Sequence, residues 1–73
     1  MSDTKTLGEA LPKEMARVRD EVMPAYRHPM IGKAGEPALF MMRAALDRAA
    51  KALAEGDVAE MIRAYDDLKG FHT

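Results

Sequence analysis

The sequence predicts an all-α chain of three helices. The second and third form an antiparallel hairpin, and a kinked N-terminal helix packs across them. Three observations carry this expectation. Thirteen of the 73 residues are alanine, the strongest helix former, while Asn, a common turn former, is absent. Apolar residues recur in steps of three and four, the period of a helix buried on one face. Gly56-Asp57 sets a glycine stop directly against an aspartate start. The β-branched residues Val18, Val22, Ile31, Val58, Ile62 and the terminal threonines are scattered, and no run of them makes a strand.

Residues 1–11 read as an N-terminal arm. Thr6-Leu7-Gly8-Glu9 has the spacing of a capping box, but Pro12 limits any helix begun there, so residues 6–11 are expected to form a short turn or 3₁₀ segment. Pro12 then opens the first helix, where its missing N–H costs nothing. That helix covers residues 12–27, with the stripe Leu11, Met15, Val18, Val22 and Ala25/Tyr26. Its charged face is Lys13, Glu14, Arg17, Asp20 and Glu21. Pro24 interrupts the stripe at a cost of about 3 kcal/mol. Because the stripe continues beyond it, a kink is expected rather than a stop.

Residues 28–36 carry two glycines and a proline and read as a loop. Pro37 opens the second helix, residues 37–55. One stripe of it is Leu39, Met42, Leu46, Ala49/Ala50 and Leu53. A second is Ala38, Met41, Ala45 and Ala52, with Phe40 and Ala44 beside it. Arg43, Asp47, Lys51 and Glu55 stand four apart with alternating sign, a solvated ladder of ion pairs. So wide an apolar arc places this helix centrally. Gly56 ends it, and Asp57 caps the third helix with Glu60 completing a capping-box variant. The third helix covers residues 58–69, with the stripe Val58, Met61/Ile62, Tyr65 and Leu68. Gly70 ends it, and residues 70–73 form a tail that frays unless Phe71 folds back.

A chain of this length holds one domain. Eleven basic residues against twelve acidic ones give a formal net charge of −1, without the basic excess of a non-specific nucleic-acid binder. There is no cysteine, which removes disulfides, thiolate metal sites and a cysteine nucleophile, and fits the cytoplasm. The polar start has no apolar h-region, and the longest apolar run, residues 38–42, is far short of the ~20 residues that cross a bilayer. His28 and His72 lack a second ligand at i+3 or i+4. Ser2 is the sole serine, which leaves no serine triad. Asp66, Asp67, Glu60 and Arg63 read as a solvated face. No enzyme, cofactor or metal is expected.

Two features point to binding. A core with so few large side chains barely offsets the entropy of ordering the chain, and oligomerisation is the common remedy. The second strip of the middle helix is therefore expected to make a homo-oligomer, a dimer above all, or to dock another helical protein, unless the first helix covers it within one chain. The interface candidates are Met30, Phe40, Met41 and Ala45. The alternative is an RNA-, DNA- or anion-binding adaptor. Met30-Ile31-Gly32-Lys33-Ala34-Gly35 resembles the GxxG loop with which KH domains clamp an RNA backbone. Its candidates are Arg27, Gly32, Lys33 and Gly35, beside a helix N-terminus that favours anions. The string departs from the KH pattern at Pro37, and the chain offers no flanking strands. Its plain reading is a helix connection using glycine for positive φ.

Leu7-Gly8-Glu9-Ala10-Leu11-Pro12, Ala54-Glu55-Gly56-Asp57 and Met61-Ile62-Arg63-Ala64-Tyr65 flank an Ala-rich helix. Together they resemble a group of small uncharacterised bacterial and prophage-encoded helical proteins. The likeness spans most of the chain and rests on helix grammar. It implies a bacterial helical protein and no activity or catalytic residue.

Overall fold

Leu7, Leu11, Val18 and Val22 continue one helical stripe from well before Pro12, and the chain follows that stripe. The computed structural model describes residues 3–72, with the side chains of 7–72. Helix α1 runs Asp3–Arg17, passes into a π-helical turn Val18–Val22, and continues as α2, Met23–Tyr26. These three pieces form one N-terminal rod. A turn and a 3₁₀ segment, Gly32–Gly35, lead to α3, Glu36–Glu55, and then α4, Val58–Lys69. There is no strand among the described residues. The molecule measures 43 × 19 × 15 Å, the proportions of a slender bundle.

The expected arm is thus helix. Pro12 lies inside α1, and residues 6–9 belong to the same helix. Pro12 and Gly8, whose carbonyl its ring displaces, are both exposed, so water can take the lost bond. Leu11 is fully buried and Leu7 packs against the core. Fully burying Leu11 is worth about 1.5–3 kcal/mol, and the partly buried Leu7 adds a fraction of that, together enough to offset the roughly 3 kcal/mol proline penalty.

Pro24 is met differently. The Met23 N–H donates to the Val18 carbonyl, five residues back, so the ladder widens just before the proline. The expected kink is therefore a π-turn, and the helix passes through it. The extra residue brings Met23 into the core beside Val22, a position outside the expected stripe.

The hairpin follows its sequence closely. Gly56 adopts φ 67°, and the N–H groups of Gly56 and Asp57 donate to the carbonyls of Leu53 and Ala52, the two bonds of a Schellman stop. The Asp57 carboxylate accepts from the Glu60 N–H at 3.2 Å. The reciprocal half of the box is replaced: Asp57 N–H serves the preceding helix, and the Glu60 carboxylate pairs with Arg63 at 2.6 Å. On α4 the buried line is Met61, Ala64 and Leu68, while Val58 and Ile62 face outward. The ladder expected on α3 forms no ion pair among the described residues, although its members are exposed as expected.

Arg17 departs most from its expected place on a solvated face. Glu14 holds the guanidinium by hydrogen bonds at 3.1–3.2 Å, and Nη2 donates to the carbonyls of Leu68 at 3.0 Å and Phe71 at 2.8 Å. A cation thus satisfies backbone acceptors at the C-terminal end of α4. The Tyr26 hydroxyl donates to the His72 carbonyl at 3.2 Å. Phe71 folds back, half-buried against the core, and its tail is pinned from the rod.

Two substitutions test this architecture. Gly8→Ala, in an exposed helical position with open space around it, is expected to stabilise the fold by about 0.5–1 kcal/mol in urea denaturation. No gain would mean that the segment before Pro12 is not helical. Arg17→Met keeps the apolar stem but removes the donor to the Phe71 carbonyl and one of the donors to the Leu68 carbonyl, which keeps the Phe71 N–H, and is expected to cost about 1–3 kcal/mol. An unchanged denaturation midpoint would deny the pinning.

Candidate interaction surface

The apolar arc of α3 divides into two parts. Leu39, Met42, Ala45, Ala49 and Ala52 are all buried. Ala45 is 1% exposed and belongs to the core, which removes it from the expected interface. The reason is size. Small residues at Ala45, Ala49 and Ala52 on α3 and Ala64 on α4 allow the two helices to approach closely, and α3 packs most extensively against α4. Of the strip expected to need a partner, Ala45 and Ala52 are enclosed within one chain, Ala38 and Ala44 are half-buried, and the two large side chains, Phe40 and Met41, stay exposed.

What remains open lies at the N-terminal end of α3. Phe40 is 70% exposed and Met41 60% exposed. Because α4 runs antiparallel to α3, its C-terminal end and tail lie beside them. Phe40, Met41, Ala44 and Phe71 line a shallow groove of about 440 Å³. Arg48 and Asp67 stand at its rim, paired with each other at 3.3 Å. Phe71 is held there through Arg17, 54 residues away in sequence. The sequence pattern assigns none of Phe71, Arg48, Asp67 and Arg17 to this surface. The contacts joining them cross between elements and leave no periodic trace.

Met30 is the most exposed large apolar residue, at 90%, with Ile31 beside it. Both sit in the turn before α3, at the same end of the bundle but outside the groove lining.

The Gly32-Lys33-Ala34-Gly35 segment is a packing device. Gly32 takes φ 58°, which favours glycine. Gly35 is buried, and a Cβ there would collide with the Tyr26 carbonyl oxygen. Three of the turn's amides, those of Met30, Ile31 and Gly32, are already engaged. Met30 N–H donates to His28 Nδ1, and the N–H groups of Ile31 and Gly32 donate to the His28 carbonyl. Glu36 adds a carboxylate to the first turn of α3. Arg27 and Lys33 are exposed, and neither takes part in a side-chain hydrogen bond or ion pair with a described residue. With Gly35 packed inward and no strand among the described residues, the loop does not build the KH clamp.

A second groove, about 590 Å³, lies along the rod beside Tyr65. It is lined by Lys13, Glu14, Arg17, Asp20 and Glu21, charges of both signs. The acidic residues of α4 do not converge: Glu60 pairs with Arg63 and Asp67 with Arg48. Among the described residues no three His, Cys, Asp or Glu side chains gather as a metal site, and no helix is long and apolar enough to cross a membrane.

Comparison with protein-family models, with curated proteins and with solved structures finds no match for this chain.

The loop reading has a direct check. Gly35→Ala is expected to destabilise the fold by about 1–3 kcal/mol, as overpacking against backbone does. Lys33→Glu, on an exposed site, is expected to stay within about 0.5 kcal/mol of the parent. A tolerated Gly35→Ala would show that this glycine is kept for something other than packing.

Proposed function

We propose that the chain is a non-enzymatic helical interaction module that self-associates through the end of α3. The observation that carries this reading is the open Phe40–Met41 pair, extended by Phe71 into a single apolar groove. Scattered single apolar residues on a surface need no explanation, but a contiguous set rimmed by charge is the form docking faces take.

A second copy is the occupant that the charge pattern favours. The rim carries one cation, Arg48, and one anion, Asp67. A face with one charge of each sign beside an apolar centre is matched to itself by a two-fold axis, because the Arg48–Asp67 pair of each chain can exchange partners with, or extend to, the same pair of the other copy. Phe40 and Met41 supply the aromatic and adaptable side chains that anchor such contacts. With three large apolar side chains at its centre, the contact belongs to the small class, below about 1,200 Å² in total. Its expected behaviour is a reversible monomer–dimer equilibrium. The alternative, an anion- or nucleic-acid-binding adaptor using Arg27, Gly32, Lys33 and Gly35, has weaker support, since Gly35 is packed inward and the Met30, Ile31 and Gly32 amides already have partners.

Sedimentation velocity over a concentration series tests the reading. The parent is expected to shift from monomer toward dimer into the high micromolar range. Met41→Lys is expected to remain monomeric with its helical signal intact, since the position is exposed in the single chain. A parent that stays monomeric throughout, or a variant that dimerises as well as the parent, would overturn it. A salt-dependent shift with RNA or DNA that is lost in Lys33→Glu would favour the adaptor.

A further inference from the structure

Met41 and Met42 are neighbours in sequence with opposite surroundings. Met41 is 60% exposed in the groove, whereas Met42 is 1% exposed in the core. The other described methionines divide in the same way. Met30 is 90% exposed, Met15 is half-buried and packed against the core, and Met23 and Met61 are buried. Thioether oxidation follows access, so among the described methionines Met30 and Met41 are the most accessible, and of these Met41 alone lies within the apolar groove.

We infer that Met41 is a reversible oxidation site, and that its sulfoxide opens the self-associated form. The inference rests on the assembly reading above. The oxidant class is a peroxide. The sulfur lone pair attacks one peroxide oxygen, the S–O bond forms as the O–O bond breaks, and the other oxygen leaves as water after taking the proton. Sulfur is oxidised by two electrons and the peroxide is reduced by two. The product replaces a flexible apolar side chain with a polar, chiral one. Its oxygen needs a hydrogen-bond partner, which water supplies on the single chain. In the associated form it would face Phe40 and Phe71 of an apolar centre, where an unsatisfied acceptor is costly. Exposure on the single chain also means that association itself shields the sulfur. Met41 is therefore oxidised from the monomer, and the oxidised chain is held there until a sulfoxide reductase, with a thiol pair oxidised to a disulfide as the two-electron reductant, restores the thioether and releases the oxygen as water.

The test treats the protein with hydrogen peroxide at concentrations spanning its dimer dissociation constant and maps sulfoxide at each methionine by peptide mass spectrometry. Met30 is expected to react equally at every concentration. Met41 is expected to keep pace with Met30 in dilute solution and to slow severalfold when concentrated, with Met42 at least tenfold slower than Met41. The oxidised protein is expected to show a dissociation constant raised tenfold or more (about 1.4 kcal/mol), returning to the starting value after enzymatic reduction. Met41→Leu, whatever its own affinity, is expected to show the same constant before and after peroxide. Met42 reacting as fast as Met41 would overturn the site. A parent dimer that is equally tight after Met41 oxidation would overturn the switch while leaving the assembly reading intact. A parent that never dimerises would overturn the switch and the assembly reading together, with the Met41-to-Met42 rate ratio still judging the site.

Discussion

The structure depends on how closely α3 and α4 approach. Ala45, Ala49 and Ala52 on one helix and Ala64 on the other are buried in a seam of methyl groups. Side chains this small permit short interhelical distances, and they keep the bundle to 19 × 15 Å across. A seam of this kind has little apolar area per residue and cannot stabilise the fold unaided. The larger contributions come from Leu11, Val18, Val22, Met23, Leu39, Met42, Met61 and Leu68, and the first five of these lie in the rod or at the start of α3. The small side chains set the geometry, and the large ones at its margins supply most of the burial energy.

The rod is shaped by that need. Its stripe must reach from Leu7 to Tyr26 to cover the seam, and two prolines stand in the way. Pro12 is tolerated at an exposed position, with buried Leu11 beside it holding the helix in place. Pro24 is absorbed by widening the ladder into a π-turn, which also carries Met23 inward. Arg17, just before that turn, satisfies the carbonyl end of α4 and fixes the tail. The same contact puts Phe71 beside Phe40 and Met41. The fold's most distant polar contact thus completes its most apolar surface.

Elements governed by local rules were legible in the sequence. The residues of α4, the glycine stop at Gly56 and the aspartate cap at Asp57 follow from one or two side chains acting on the nearest backbone. The start of the rod was misjudged because a proline penalty is a local quantity and the burial of Leu7 and Leu11 is not. Ala45 was assigned to the surface because periodicity marks an apolar strip without saying which part of it a neighbour will cover. Ile62 was placed inward for a related reason: Met61 and Ile62 are equally apolar, and the angle at which α4 meets α3 decides between them. Phe40 and Met41 were found because two large apolar residues beyond the buried arc remain visible in the pattern. Their partners Phe71, Arg48 and Asp67 were not, since the groove joins separate elements.

α3 thus divides into a face closed within one chain and an exposed terminal patch, Phe40 and Met41, proposed above to meet a second copy. Methyl NMR of the methionines across a dilution series tests that division most directly. The Met41 methyl signal should move with concentration while those of Met42 and Met61 stay fixed. Movement of Met42 along with Met41 would mean that the core face itself takes part in assembly, and a Met41 signal that never moves would mean that the patch meets no second copy.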